Sequence, residues 1–155
     1  MFWSVFRKGK IGPGVFFDLD KGKKVDSVIY RDQILLGPLK EFWEESFLDI
    51  NDPIVMEDNA PVHKGVCIQT RKDLGMITLD HPPNSPDLNP IETVWGDMKD
   101  TVAKNYAEIS SVQELKRIVQ MLWDDYPDDK WDSLIESMPD KMRKVIAAKG
   151  GSIGR

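Results

Sequence analysis

Two short apolar runs, each ending in acid, constrain this chain more than any other feature. Ile54-Val55-Met56 leads into Glu57-Asp58-Asn59, and Met76-Ile77-Thr78-Leu79 leads into Asp80. Between them, the stretch from His63 to Leu74 has helical length. Unbroken apolar runs of this kind suit strands buried on both faces of a sheet covered by helices. Strand, helix and strand in succession imply a right-handed parallel crossover, so both strands end on one sheet edge. The expected class is α/β, and ligands in open α/β sheets collect at that carboxyl edge.

The flanks extend this plan. Phe2 to Phe6 reads as a strand, Gly12-Pro13-Gly14 as a turn, and Val15-Phe16-Phe17 as a second strand. Val28, Ile29, Ile34 and Leu35 suggest a helix broken at Gly37-Pro38. Pro38 then starts a second helix, with Leu39, Phe42, Trp43 and Phe47 along one side. The loop HPPNSPDLNP has four prolines in ten residues and cannot be helix. It closes on a helix start, with Asn89 as N-cap, Pro90 at the first helical position and Glu92 at the third. A capping box at Ser111-Val112-Gln113-Glu114 opens the next helix. A short helix follows Pro127, and a last one runs from Ser137 to a stop at Gly150-Gly151.

At 155 residues and 41% apolar, the chain suits one soluble globular domain with a single core. No apolar run approaches the ~18 residues of a membrane-spanning helix. The opening MFWSVF precedes the basic RKGK, the wrong order for a secretory signal. A lone cysteine, Cys67, cannot form an internal disulfide and points to a reducing, intracellular setting. The net charge of -5 argues against a surface that grips nucleic acid throughout, while leaving room for a local basic patch. Residues 141–155 hold Lys141, Arg143, Lys144, Lys149 and Arg155 with no acid, after seven acids and one base in 124–140. That asymmetry fits either helix-end electrostatics or phosphate contact.

Asp58, at a strand end, and Glu92, in the first turn of a helix, are the candidates for metal chemistry. They stand 34 positions apart. A hard cation such as Mg²⁺ takes oxygen ligands, commonly one or two carboxylates plus substrate phosphates. Each acid also has a structural alternative. Asp58-Asn59 suits an Asx turn, and Glu92 suits a cap reaching back to the Asn89 N–H. Phe16-Phe17-Asp18-Leu19-Asp20 is similar to the first motif of haloacid-dehalogenase-type phosphatases, but Lys21-Gly22 does not continue that pattern, and a solvated turn fits better. His63 and His81 are too far apart for a short metal motif. His63 can line the Asp58 edge or stabilise a turn. Cys67 lacks a nucleophile's partner motif, and the tryptophans sit mostly at helical core spacing.

Asp58-Asn59-Ala60-Pro61-Val62-His63 resembles the second-aspartate motif of mariner-superfamily DDE transposases. Ser85-Pro86-Asp87-Leu88-Asn89-Pro90-Ile91-Glu92 with Trp95 is similar to their third-acid motif. Ser137 to Gly151 resembles the family's C-terminal end, and Phe2-Trp3 its aromatic strand. The resemblance implies a ribonuclease H-like fold with a helical C-terminal flank. It also implies two Mg²⁺ (or Mn²⁺) ions held by an Asp, Asp, Glu triad, which cut transposon ends from DNA and join them to target DNA. Asp58 and Glu92 would be the second and third acids, catalytic and metal-binding, converging to roughly 4–8 Å as two-metal geometry needs.

His81 stands where the family generally has tryptophan. On the same resemblance, residues 1–155 are expected to be a partial catalytic domain, without the first catalytic strand or the helix-turn-helix modules. Such a piece is expected to lack cleavage activity. It would also leave the 54–58 strand without a ladder partner on one edge, and so be molten, aggregated or dependent on a donated strand. Implied partners are transposon-end and target DNA, with a second copy or a full-length transposase. No membrane is implied, and the implied location is the nucleus of a eukaryotic host. Two other functions compete: a working Mg²⁺ nuclease with a substitute acid, and a non-catalytic DNA-binding or transposase-pairing module.

Overall fold

The computed structural model describes residues 1–20, 22–83, 85–106 and 108–151. Lys21 of the Asp18–Gly22 turn, Asn84 of the proline loop and Arg155 of the basic tail lie outside the described residues. The chain forms two compact units. One comprises Met1–Trp3 with Phe17–Asn84, the other Ser4–Phe16 with Ser85–Arg155.

In the first unit, α1 (Ser27–Tyr30) is capped by Asp26, whose carboxylate accepts the Val28 and Ile29 N–H groups at 3.0 and 2.9 Å. The chain continues as a π-helical segment, Arg31–Leu39, into α2 (Lys40–Ser46). Gly37 alone leaves helical geometry, with φ -118° and ψ -107°, so the break expected at Gly37-Pro38 is a local kink. Tyr30, Ile34, Leu35, Leu39 and Phe42 are buried there. Strand β3 (Ile54–Met56) pairs in parallel with β4 (Ile77–Leu79), joined through a 3₁₀ turn at Pro61–His63 and α3 (Val66–Leu74). Ile54 lies opposite Ile77 and Met56 opposite Leu79, so the expected parallel unit forms with both strands ending on one edge.

The expected burial of that unit does not hold. Ile54, Ile77 and Leu79 are 60%, 51% and 50% exposed. The first unit's core lies instead among the helices, reached from the ladder by Met76 just before β4.

Strands β1 (Phe2–Arg7) and β2 (Lys10–Phe16) form a hairpin, of which residues 4–16 belong to the second unit. Its turn is at Lys8-Gly9, where Gly9 supplies a φ of +72°. The expected turn at Gly12-Pro13-Gly14 is therefore corrected: those residues lie inside β2. A two-stranded sheet has only edges, which tolerate proline, and Trp123 Nε1 donates to the Gly12 carbonyl at 2.9 Å. Helices α4 (Pro90–Asn105), α5 (Val112–Asp124), α6 (Asp128–Glu136) and α7 (Met138–Ala147) follow a 3₁₀ turn at Pro86–Leu88. Their core gathers Leu88, Val94, Met98, Ile118, Trp123 and Trp131. Trp123 and Trp131 pack edge-on at 4.9 Å.

The capping box at α5 forms with a shift. Ser111 Oγ accepts the Glu114 N–H at 3.1 Å, but the Glu114 carboxylate reaches Ser110, taking its N–H and hydroxyl at 2.9 and 2.7 Å. Those donors hold the exposed Glu114 carboxyl below its usual range. No helix among the described residues is long and apolar enough to cross a membrane.

Candidate functional site

Asp58 stands two residues beyond Met56, the last residue of β3, where the chain has left the ladder, and its side chain is exposed. The expected Asx turn is present. Asp58 Oδ1 accepts the Ala60 N–H at 2.9 Å, and the same oxygen lies 2.8 Å from His63 Nδ1. Oδ2 has no partner among the described residues. Asn59 donates its side-chain amide to the His81 carbonyl, tying the exits of β3 and β4 together.

Beneath Asp58 lies a network that the motif did not signal. Glu57, the neighbouring acid, points inward. The Tyr30 hydroxyl donates to Glu57 Oε1, and Trp3 Nε1 donates to the Tyr30 oxygen at 3.2 Å. Arg71 Nη2 approaches Glu57 Oε2 to 2.5 Å, while Arg71 Nη1 donates to the His63 carbonyl at 2.8 Å. Burial, then the Glu57 charge, push the Tyr30 hydroxyl far above its ordinary pKa, so it remains a donor. The available signal was Arg71 itself: it stands four residues after Cys67 on α3, and both are buried on one helix face. Cys67 is a core residue, with its thiol donating to the Ser27 carbonyl at 3.1 Å and pushed up in pKa by burial.

Glu92 occupies the first turn of α4 in the second unit, half-buried; its N–H donates to the Asn89 carbonyl at 3.1 Å, and its carboxylate makes no hydrogen bond or ion pair to the described residues. The capping alternative fails for a local reason. Asn89 makes no side-chain cap, and its N–H is already donated to the Pro86 carbonyl at 3.1 Å. The helix is anchored elsewhere, by buried Val94 and Met98 and by Trp95 Nε1 donating to the Ser4 hydroxyl at 2.9 Å. In the basic tail, Lys141 donates to the Asp87 carbonyl of the proline loop at 3.3 Å, and Arg143 pairs with Asp140 on its own helix. Lys141 thus braces the loop that leads into α4, while Arg143 is engaged within α7. Among the described residues, no three His, Cys, Asp or Glu side chains group as a metal cage. Asp18 is engaged through its backbone with the Gln33 amide, as in an ordinary turn.

A strand-end acid and a helix-start acid on an α/β scaffold define a class, and comparison with known proteins identifies it. Residues 39–116 match the DDE superfamily endonuclease family. The chain is 35% identical over 154 residues to the Tc3 transposase of Caenorhabditis elegans, covering 99% of this chain and 45% of that protein. It is 30% identical over 138 residues to the Tcb2 transposase of Caenorhabditis briggsae, covering 85% and 48%. The chain thus spans about half the length of these relatives. The catalytic domain of the Mos1 mariner transposase superposes with a TM-score of 0.80 at 21% identity, over 96% of this chain and 73% of that one. The same Mos1 domain solved with raltegravir and Mg superposes at 0.79 and 21% identity, over 96% and 74%. A Mos1 paired-end complex with the left transposon end superposes at 0.78 and 21% identity, over 95% and 42%. The fold is ribonuclease H-like, and the chain belongs to the DDE superfamily endonuclease family, with similarity to the Tc1/mariner transposases named above.

Proposed function

We propose that this chain supplies the second and third acids of a DDE transposase catalytic domain, Asp58 and Glu92. On this reading they converge on a divalent cation, Mg²⁺ or Mn²⁺, where DNA phosphodiester bonds are cut and joined. The observation that carries it is a set of carboxylate oxygens in the two motif positions without partners among the described residues: Asp58 Oδ2, and both oxygens of Glu92. Such oxygen donors fit a hard divalent cation, which takes one or two carboxylates alongside phosphate oxygens. When bound, the cation would lower the pKa of an attacking water or 3′-hydroxyl and neutralise charge on the departing oxygen. Asp58 is held at its strand end by the Asx turn, and the α4 anchors fix the backbone that carries Glu92. Transposon-end and target DNA are the partners this reading implies, with a second copy or a longer transposase completing the assembly, in the nucleus of a eukaryotic host.

Affinity cleavage tests the convergence. Fe²⁺ substituted for Mg²⁺, with ascorbate and peroxide, cuts backbone close to the bound ion. Cuts are expected around both 56–60 and 90–94, and should disappear in Asp58→Asn and in Glu92→Gln. Cutting at one segment alone, or cutting indifferent to both substitutions, would sink the reading. The 155 residues by themselves are expected not to nick supercoiled DNA with Mg²⁺ or Mn²⁺, because two carboxylates neutralise and position two cations less well than three. Nicking abolished by Glu92→Gln would overturn that expectation. Retention of transposon-end DNA with no metal-dependent cuts would favour the non-catalytic pairing role.

A further inference from the structure

We infer that His63 is a positioning residue that selects which oxygen of Asp58 faces the cation, an inference that rests on the metal-binding reading above. Asp58 Oδ1 accepts the Ala60 N–H at 2.9 Å and lies 2.8 Å from His63 Nδ1. Nδ1 also lies 3.1 Å from the Asp58 carbonyl. A carboxylate oxygen and a carbonyl both only accept, so Nδ1 is the ring nitrogen that carries the proton. With Oδ1 held by the Ala60 N–H and packed against Nδ1, Oδ2 is the oxygen left to bind, and the carboxylate cannot rotate without losing both contacts.

The imidazole is itself fixed by groups that do not touch Asp58. Its ring packs on Tyr30 with centroids 4.6 Å apart, and Nε2 lies 3.9 Å from Glu57 Oε1. Arg71 holds the His63 carbonyl at 2.8 Å, and the 3₁₀ turn closes with the His63 N–H on the Ala60 carbonyl at 3.0 Å. Tyr30 is 1% exposed. The buried Tyr30–Glu57–Arg71 cluster thus acts as a mount for the histidine, and the histidine as a stop for the aspartate. A turn-stabilising histidine would need only its backbone contacts. The 2.8 Å approach of Nδ1 to the side-chain oxygen of Asp58 is the feature a purely structural role leaves over.

Mn²⁺ binding followed by electron paramagnetic resonance tests this on the whole chain, with circular dichroism as the check on folding. Loss of an outer partner that orients a metal ligand typically weakens affinity by roughly 10–100-fold, and His63→Ala is expected to fall in that range. Asn and Gln separate position from mere polarity, and they carry the test if His63→Ala does not fold. The Asn amide nitrogen falls near the place of Nδ1, so His63→Asn should recover most of the affinity. The Gln amide falls near Nε2, so His63→Gln should not. Equal affinity in Asn and Gln variants, or native affinity in His63→Ala, would overturn the inference. Asp58→Asn separates the two levels. If it weakens Mn²⁺ binding while the His63 variants do not, the positioning role alone is wrong; if it leaves binding unchanged, Asp58 is not a ligand and both readings fall.

Discussion

The Glu57–Arg71 pair is where a single residue matters most to the first unit. The two side chains are only 14% and 9% exposed, and Glu57 also accepts the Tyr30 hydroxyl. Removing one member of a largely buried pair strands the other's charge, which costs about 3–5 kcal/mol; the residual exposure puts Arg71→Met near the lower figure. Adding Glu57→Gln removes the stranded charge yet keeps an acceptor for Tyr30, so the double variant should be more stable than Arg71→Met alone. Urea unfolding followed by circular dichroism measures both, and a double variant no better than the single would disprove the account. Asp58 and Glu92 stood out as candidates in the sequence because their motifs are contiguous. The Tyr30–Glu57–Arg71 cluster was not, because residues 30, 57 and 71 meet only through the tertiary fold. The one local hint, Arg71 four residues after Cys67 on α3, names neither Tyr30 nor Glu57 as its partners.

At the scale of elements, the α3–β4 junction sets the parallel ladder. Gly75 ends α3 at φ +71°, with its N–H on the Lys72 carbonyl at 3.0 Å and the Met76 N–H on the Arg71 carbonyl at 2.9 Å. A Cβ there would meet no atom within 4 Å, so the cost of Gly75→Ala is torsional rather than steric. A left-handed alanine costs about 1–2 kcal/mol, and a fall of that size in unfolding free energy is expected, with affinity for Mn²⁺ unchanged in the folded fraction. A loss below half a kcal/mol, by the general left-handed scale, would mean the junction relaxes. Elements with a local signature were readable: the Asp-x-x stop after β3, the proline-started α4, the capped α5. The hairpin turn was misplaced because Gly12-Pro13-Gly14 carries every turn signal, whereas Lys8-Gly9 carries one glycine. What keeps residues 12–14 extended is distant in sequence, the Trp123 indole on the Gly12 carbonyl.

For the molecule as a whole, the telling departure from expectation is the apolar exposure of the β3–β4 ladder. Short apolar runs read as doubly covered strands because burial is the commonest reason for such runs, and sequence does not say what does the covering. Among the described residues, Ile54, Ile77 and Leu79 are each at least half exposed, side by side in a two-stranded ladder with register Ile54↔Ile77. Apolar residues beside unpaired strand edges are a template for pairing with another chain, and native proteins usually blunt such edges with charge. The chain is therefore expected to associate as concentration rises. A single inward-breaking charge at the ladder, Ile77→Lys, should suppress that association. The position is already half in water, so the substitution removes little burial and should leave unfolding cooperative. Light scattering coupled to size exclusion, run across a hundredfold concentration series on both forms, separates the cases. Native chain that stays monomeric throughout would show that the exposed ladder is inert. Association that persists unchanged in Ile77→Lys would place the sticky surface elsewhere, with the exposed Ile146 of α7 the next residue to substitute.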